Sequence, residues 1–268
     1  IMGYGVDEKG KKMSKSKGNV VDPLPLIQKY GADTFRFWSA SETNLGQDFR
    51  CSEQSISNSQ KFLSKLWNLG RFLSSFEVPK EFSIALLKNN NLLHTDKWIL
   101  AELDKLINSC IKGYNSYNFF IPATSIRDFT WNVFASHYVE MIKGRAYDNE
   151  NKNSQISSIY TLHRCFSIIL LLAAPICPFI TEKLWKTLYS SESIHNQKFP
   201  KTNDFFKDFE KYTEKIVEFN SLVWNKKKNS INPNTGKPLS LKDATSINVP
   251  SELIEFEQDL KTMHNLIG

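Results

Sequence analysis

A chain of 268 residues with 41% hydrophobic and 13% aromatic content can bury a sizeable core, so it reads as globular, with one large or two modest domains. Its formal charge of +6 favours a polyanionic partner bound in a salt-dependent way, with a membrane surface as the weaker alternative. The longest apolar run, Phe166 to Ala174, is broken by Pro175 and Pro178, so no spanning segment is expected. Cys51, Cys110, Cys165 and Cys177 are too scattered for a zinc site or a disulfide framework and read as reduced, cytosolic thiols.

Residues 1 to 19 read as the end of a strand, a turn at Asp7-Glu8-Lys9-Gly10 and a loop, Lys12-Met13-Ser14-Lys15-Ser16, running into Gly18-Asn19. Two lysines and two hydroxyls packed this closely can hold polyphosphate: ammonium, hydroxyl and backbone N–H donors together stabilise charge that builds on a leaving pyrophosphate. A solvated basic loop would share the composition. Asp22 before Pro23 predicts a helix start and Tyr30-Gly31 its stop, after which Asp33 is placed to cap a short helix through Phe35, Phe37 and Trp38.

From Ser52 to about Phe76, Phe62, Leu66, Leu69, Leu73 and Phe76 recur at helical spacing and predict a long amphipathic helix. Lys61, Lys65, Asn68 and Arg71 line an adjacent stripe of donors. Asn89-Asn90-Asn91 marks a polar linker. Thr95 then caps a predicted helix over about 96 to 114, and 119 to 147 reads as one helix with Pro122 in its first turn and His137 as a satisfied core histidine. The most apolar helix, 156 to 174, meets the Pro175 and Pro178 pair, where a kink is expected. A helix over 205 to 224 ends at Lys226-Lys227-Lys228. Asn232 to Gly236 is a turn signal, followed by short extended stretches near 238 to 241 and 246 to 249 and a final helix from about Ser251. The fold class is therefore mainly α, divided as 1–51, a helix bundle at 52–229 and a small α/β element at 230–268.

The run KMSKSKGNVVDPLPLIQKYGADTFRFWSAS resembles the post-signature region of class I aminoacyl-tRNA synthetases of the valine, isoleucine and leucine group. GQDFRCSE followed by KFLSKLWNLGRFL is similar to the valyl-tRNA synthetase branch. DKWILAELDKLI, DFTWNVFASHYVEMIKGR and APICPFITEKLW resemble the anticodon-binding helix bundle of that family. Residues 205 to 268 show no sustained heptad and look like the compact tail of archaeal-type members.

This resemblance implies that 1–51 ends a catalytic domain and that the chain is a fragment, because none of His94, His137, His163, His195 or His264 stands in the family's His-x-Gly-His signature. By itself it is expected to be inactive, the parent being an aminoacyl-tRNA ligase that joins valine to its tRNA through valyl-adenylate, with ATP and Mg²⁺. Lys12, Met13, Ser14, Lys15 and Ser16 would touch ATP, with Lys12 and Lys15 catalytic. Met13 reads better as a packing anchor than as a ligand. For tRNA, Lys61, Lys65, Asn68 and Arg71 are candidate contacts, with Arg127, Lys143 and Arg145 on the bundle. No metal site within the chain is expected, and the parent is expected to be a cytoplasmic monomer with no membrane partner. The open alternatives are an isoleucine- or leucine-tRNA ligase fragment and a non-catalytic tRNA-binding module.

Overall fold

Capping chemistry fixes the first regular elements. The Asp22 carboxylate accepts the Leu24 N–H at 3.0 Å, and Pro23, which has no N–H to satisfy, opens the helix Pro23–Tyr30. The computed structural model describes residues 3–79, 92–232 and 236–267. The Asn89–Asn91 linker and the centre of the Asn232–Gly236 turn lie outside them. Residues 1–78, 104–131 and 164–202 form one compact unit, and 79–103, 132–163 and 203–268 the other, counting described residues only.

In the first unit, a strand at Gly5–Val6 (β1) pairs in parallel with Phe49–Arg50 (β2), Gly5 opposite Phe49 and Val6 opposite Arg50. Helices Pro23–Tyr30, Ala32–Glu42 and Glu53–Leu73 pack beside this ribbon around Leu26, Trp38, Cys51 and Ile56, with Met13, Val21, Tyr30, Phe35 and Phe49 at the edge. Ser52 caps the long helix by accepting the Ser55 N–H at 3.1 Å, and Phe62, Leu66, Leu69 and Leu73 are buried along it as their spacing predicts.

Asp33 departs from expectation. It lies inside the helix Ala32–Glu42, and its carboxylate accepts the Phe179 and Ile180 N–H groups at 3.4 and 2.7 Å, capping the distant helix Pro178–Leu188. A sequence offset cannot reveal that partner. Burial raises the Asp33 pKa, while the Ile180 and Phe179 amides pull against that rise. At Pro175 and Pro178 the chain breaks instead of kinking: the helix Lys152–Ala173 stops, a turn follows, and Pro178 begins a new helix. Lys152–Ala173 is, by length and composition, apolar enough to cross a membrane, contrary to expectation. Yet 78% of its apolar stretch is buried, as in a core helix.

The helix His94–Asn115 starts one residue before Thr95, so Thr95 does not cap it. Thr95 bonds Asp259, and the Asp96 carboxylate accepts the Leu93 N–H at 3.3 Å. The stretch predicted as a helix from 119 to 147 runs as Phe120–Asp128, Phe129–Tyr138 and Val139–Tyr147, the middle part wound as a π-helix.

In the second unit, the Trp98 indole donates to the Thr213 hydroxyl at 2.9 Å, joining His94–Asn115 to the helix Thr213–Asn229. His137 is buried and bonded, its Nδ1 2.9 Å from Asn220 Nδ2, and Asn220 Oδ1 meets His264 Nε2 at 2.7 Å. Lys227, in the middle of the basic run Lys226-Lys227-Lys228, is buried and donates to the Leu241 and His264 carbonyls. The tail holds a 3₁₀ turn at Ser251–Phe256 and the helix Glu257–His264. Its extended stretches reduce to single bridges, Ile231 with Pro238 and Thr245 with Leu266.

Candidate functional site

The loop from Lys12 to Asn19 is built backwards from its end. Asp7 Oδ1 accepts the backbone N–H groups of Lys9 and Lys11 at 3.0 and 2.8 Å, closing a turn that Gly10 completes at φ +77°. The returning chain then pairs with β1, with the Met13 N–H on the Gly5 carbonyl at 2.9 Å. Asn19 ties off the loop. Its Oδ1 accepts the Ser14 N–H at 3.0 Å, and its Nδ2 donates to Asp7 Oδ2 at 2.9 Å and to the Lys12 carbonyl at 3.3 Å. Lys15–Lys17 form one 3₁₀ turn, ended by Gly18 in the left-handed region at φ +63°, where a side chain would be strained.

Each candidate in this loop has a distinct place. Met13 is partly buried and packs against the Leu26, Trp38, Cys51 and Ile56 core, so it anchors the loop. The Lys12 ammonium sits 3.5 Å from the centre of the Tyr4 ring, a cation–π contact. Ser14 and Ser16 hydroxyls lie 3.1 Å apart, while Lys15 and Ser16 are exposed. The loop therefore presents an ammonium and a hydroxyl to solvent on a backbone fixed from beneath. Asn19, Asp7 and Tyr4 were not singled out from the sequence. The Asn19 signal was present in the Gly-Asn pair, since asparagine bonds readily to nearby backbone.

On the helix Glu53–Leu73, Lys61, Asn68 and Arg71 are exposed and Lys65 is half-buried. The structure brings Lys61, Lys65 and Arg127 together. Lys61 and Arg127 line one cavity with Trp131, and the Lys65 ammonium is 5.8 Å from the centre of the Trp131 ring. Lys61 bonds Asn58 at 2.9 Å, and Arg127 reaches its neighbour Asp128 at 3.4 Å, a partly exposed pair of little energetic weight. Lys143, in the second unit, pairs with Glu140 at 2.5 Å.

Arg145 requires a correction. It is 6% exposed, and its guanidinium is committed to Asp96 at 2.9 and 3.0 Å and to Asp259 at 2.9 Å. Asp96, itself 0% exposed, also accepts the Tyr138 hydroxyl at 2.6 Å and bonds Ser157. A buried guanidinium already neutralised by two carboxylates cannot meet a phosphate. Its place is structural.

Two family models match the chain. The model for the anticodon-binding domain of tRNA ligase matches residues 96–242, and that for class I tRNA synthetases (I, L, M and V) matches residues 1–52. The chain belongs to the class I tRNA synthetases that carry this anticodon-binding domain. Within that class it is 37% identical to the valine–tRNA ligase of Aeropyrum pernix over 270 residues, covering 98% of this chain and 32% of that protein. To the valine–tRNA ligase of Nanoarchaeum equitans it is 36% identical, covering 99% of this chain and 33% of that protein. For the valine–tRNA ligase of Rickettsia felis the figures are 35%, 98% and 31%. The chain thus spans about a third of the length of the curated relatives it matches. A solved leucyl enzyme of Agrobacterium radiobacter K84, in a ternary complex with tRNA and LeuAMS, shares the fold with a TM-score of 0.59 at 20% identity, over 77% of this chain and 24% of that one.

Proposed function

We propose that this chain supplies a valine–tRNA ligase with its ATP-contacting loop and with helices that grip tRNA. The observation that carries the reading is the loop Lys12–Ser16, clamped by Asn19 and Met13 and exposing Lys15. In the intact ligase, valine attacks the α-phosphate of ATP, accompanied by Mg²⁺, and pyrophosphate departs. The ribose hydroxyl at the end of a valine-accepting tRNA then attacks the valyl carbonyl of the adenylate, and AMP departs. In the first step Lys15 and Lys12 stabilise charge growing on the β- and γ-phosphates, with Ser14 and Ser16 as hydroxyl donors; this is electrostatic and positional work. Lys12 rests on the Tyr4 ring, whereas Lys15 is exposed at the loop's tip, and we take Lys15 as the principal charge.

For tRNA, Lys61, Lys65, Asn68, Arg71 and Arg127 provide backbone contacts in the first unit, and Lys143 provides a further one in the second. Valine, rather than isoleucine or leucine, is favoured by the curated relatives. A cytoplasmic setting agrees with four buried cysteine thiols, and a monomeric ligase belongs to the same proposal. The deciding experiment is aminoacylation by the full-length protein with valine and isoleucine in competition. Preferential charging with isoleucine, or no charging at all, refutes the reading.

A further inference from the structure

We propose that the cavity between Phe37, Phe62 and Trp131 receives one unstacked nucleotide of the bound tRNA, its base against the Trp131 indole and its phosphate on Lys61 and Arg127. The inference rests on the tRNA-binding reading above and gives it a specific site.

The cavity, about 290 Å³, lies between the end of the helix Ala32–Glu42, the first half of Glu53–Leu73 and the segment around Arg127 and Trp131. Phe37 and Phe62 are buried and stacked, with centroids 4.4 Å apart and planes 21° from parallel, and they contribute an apolar aromatic wall. Trp131, half-buried, lines the same space. Lys61 and Arg127 complete the lining, and Lys65 adds its charge beside the indole. A cavity of this size does not admit a duplex, whereas a splayed-out nucleotide offers a flat face for the ring and an anion for the cations. Glu42 and Asn58, also in the lining, can accept and donate to a base edge.

A larger cavity, about 610 Å³, is lined by Phe35, Tyr117, Phe119 and Ile176. The cation in its lining, Arg36, is held onto the Ile176 and Pro175 carbonyls at 2.8 and 3.0 Å, so two of its donors are already engaged.

The test uses the full-length protein and a valine-accepting tRNA transcript. Base-specific chemical probing should find one nucleotide protected in the wild-type complex and reactive again with Trp131→Leu, while the remaining footprint persists. Trp131→Leu should weaken binding about tenfold, and Trp131→Phe, which keeps a π-face, should retain most of the affinity and the base protection. Lys61→Ala and Arg127→Ala should each lower the salt slope by about one. No single protected base in the wild type, or unchanged affinity with Trp131→Leu, overturns the nucleotide site. If Trp131→Leu does not fold, the wild-type protection pattern and Trp131→Phe still decide, because protection lost with Phe also refutes stacking. Should only the Trp131 variants be silent, the cavity assignment falls and the tRNA interface stands. Should Lys61→Ala and Arg127→Ala be silent as well, both fall.

Discussion

The side-chain amide of Asn19 donates to the Asp7 carboxylate at 2.9 Å, closing the whole Lys12–Ser16 loop between two residues twelve apart in sequence. The same asparagine accepts the Ser14 N–H and donates to the Lys12 carbonyl, so one side chain sets the backbone on both sides of Met13. Asn19→Ala should therefore lower adenylate formation by the full-length enzyme about tenfold, the cost of one or two lost loop bonds, without changing tRNA affinity. Asn19→Asp should be at least as harmful, since it retains the acceptor for Ser14 but sets a second carboxylate against Asp7. Wild-type pyrophosphate exchange by either variant would remove the clamp from the mechanism.

Lys15→Ala should reduce the single-turnover rate of adenylation by about two to three orders of magnitude, because a preorganised donor to developing charge is worth roughly 3 to 4 kcal/mol. Valine affinity should hardly move. Lys15→Arg should rescue only in part, as the planar guanidinium is larger than the ammonium and aimed differently. A Lys15→Ala enzyme with a near-normal rate would reduce the loop to a solvated basic turn.

Arg145→Met should destabilise the protein by about 3 to 5 kcal/mol, because it strands Asp96 and Asp259 in a buried site. Urea unfolding measures this. At a temperature where the variant is folded, its tRNA affinity and salt slope should match the wild type. A reduced slope in a fully folded variant would return Arg145 to the nucleic-acid interface.

His264 is buried beside Asn220 and His137, and burial, reinforced by Lys227 and His137, depresses its pKa to about 4. The unfolded chain, with an imidazole near 6.5, then binds more protons than the folded one between pH 6.5 and 4. Stability is full above 6.5 and is lost as pH falls through that window, by on the order of 3 kcal/mol for this group. His137, also lowered by burial, adds in the same direction. His264→Gln should flatten the profile. An unfolding midpoint independent of pH from 7 to 4.5 would contradict the buried neutral pair.

Sequence alone determined the features whose cause is local. The Lys-Met-Ser-Lys-Ser loop, the Asp22 cap with Pro23, and the apolar stripe of Glu53–Leu73 depend on neighbours within a few residues, and periodicity and capping chemistry report them directly. Tertiary structure decided the fate of polar groups whose partners are remote. Asp33 looked like the cap of its own helix and serves another one 147 residues on; Arg145 looked like a surface cation and lies between Asp96 and Asp259. Lys227, central in a basic run, is buried, while Lys61 and Arg127 meet at Trp131 from separate helical segments. A charge is free for a ligand only when packing leaves it exposed and unneutralised, and both conditions belong to the three-dimensional neighbourhood, which the one-dimensional pattern of residue types does not encode.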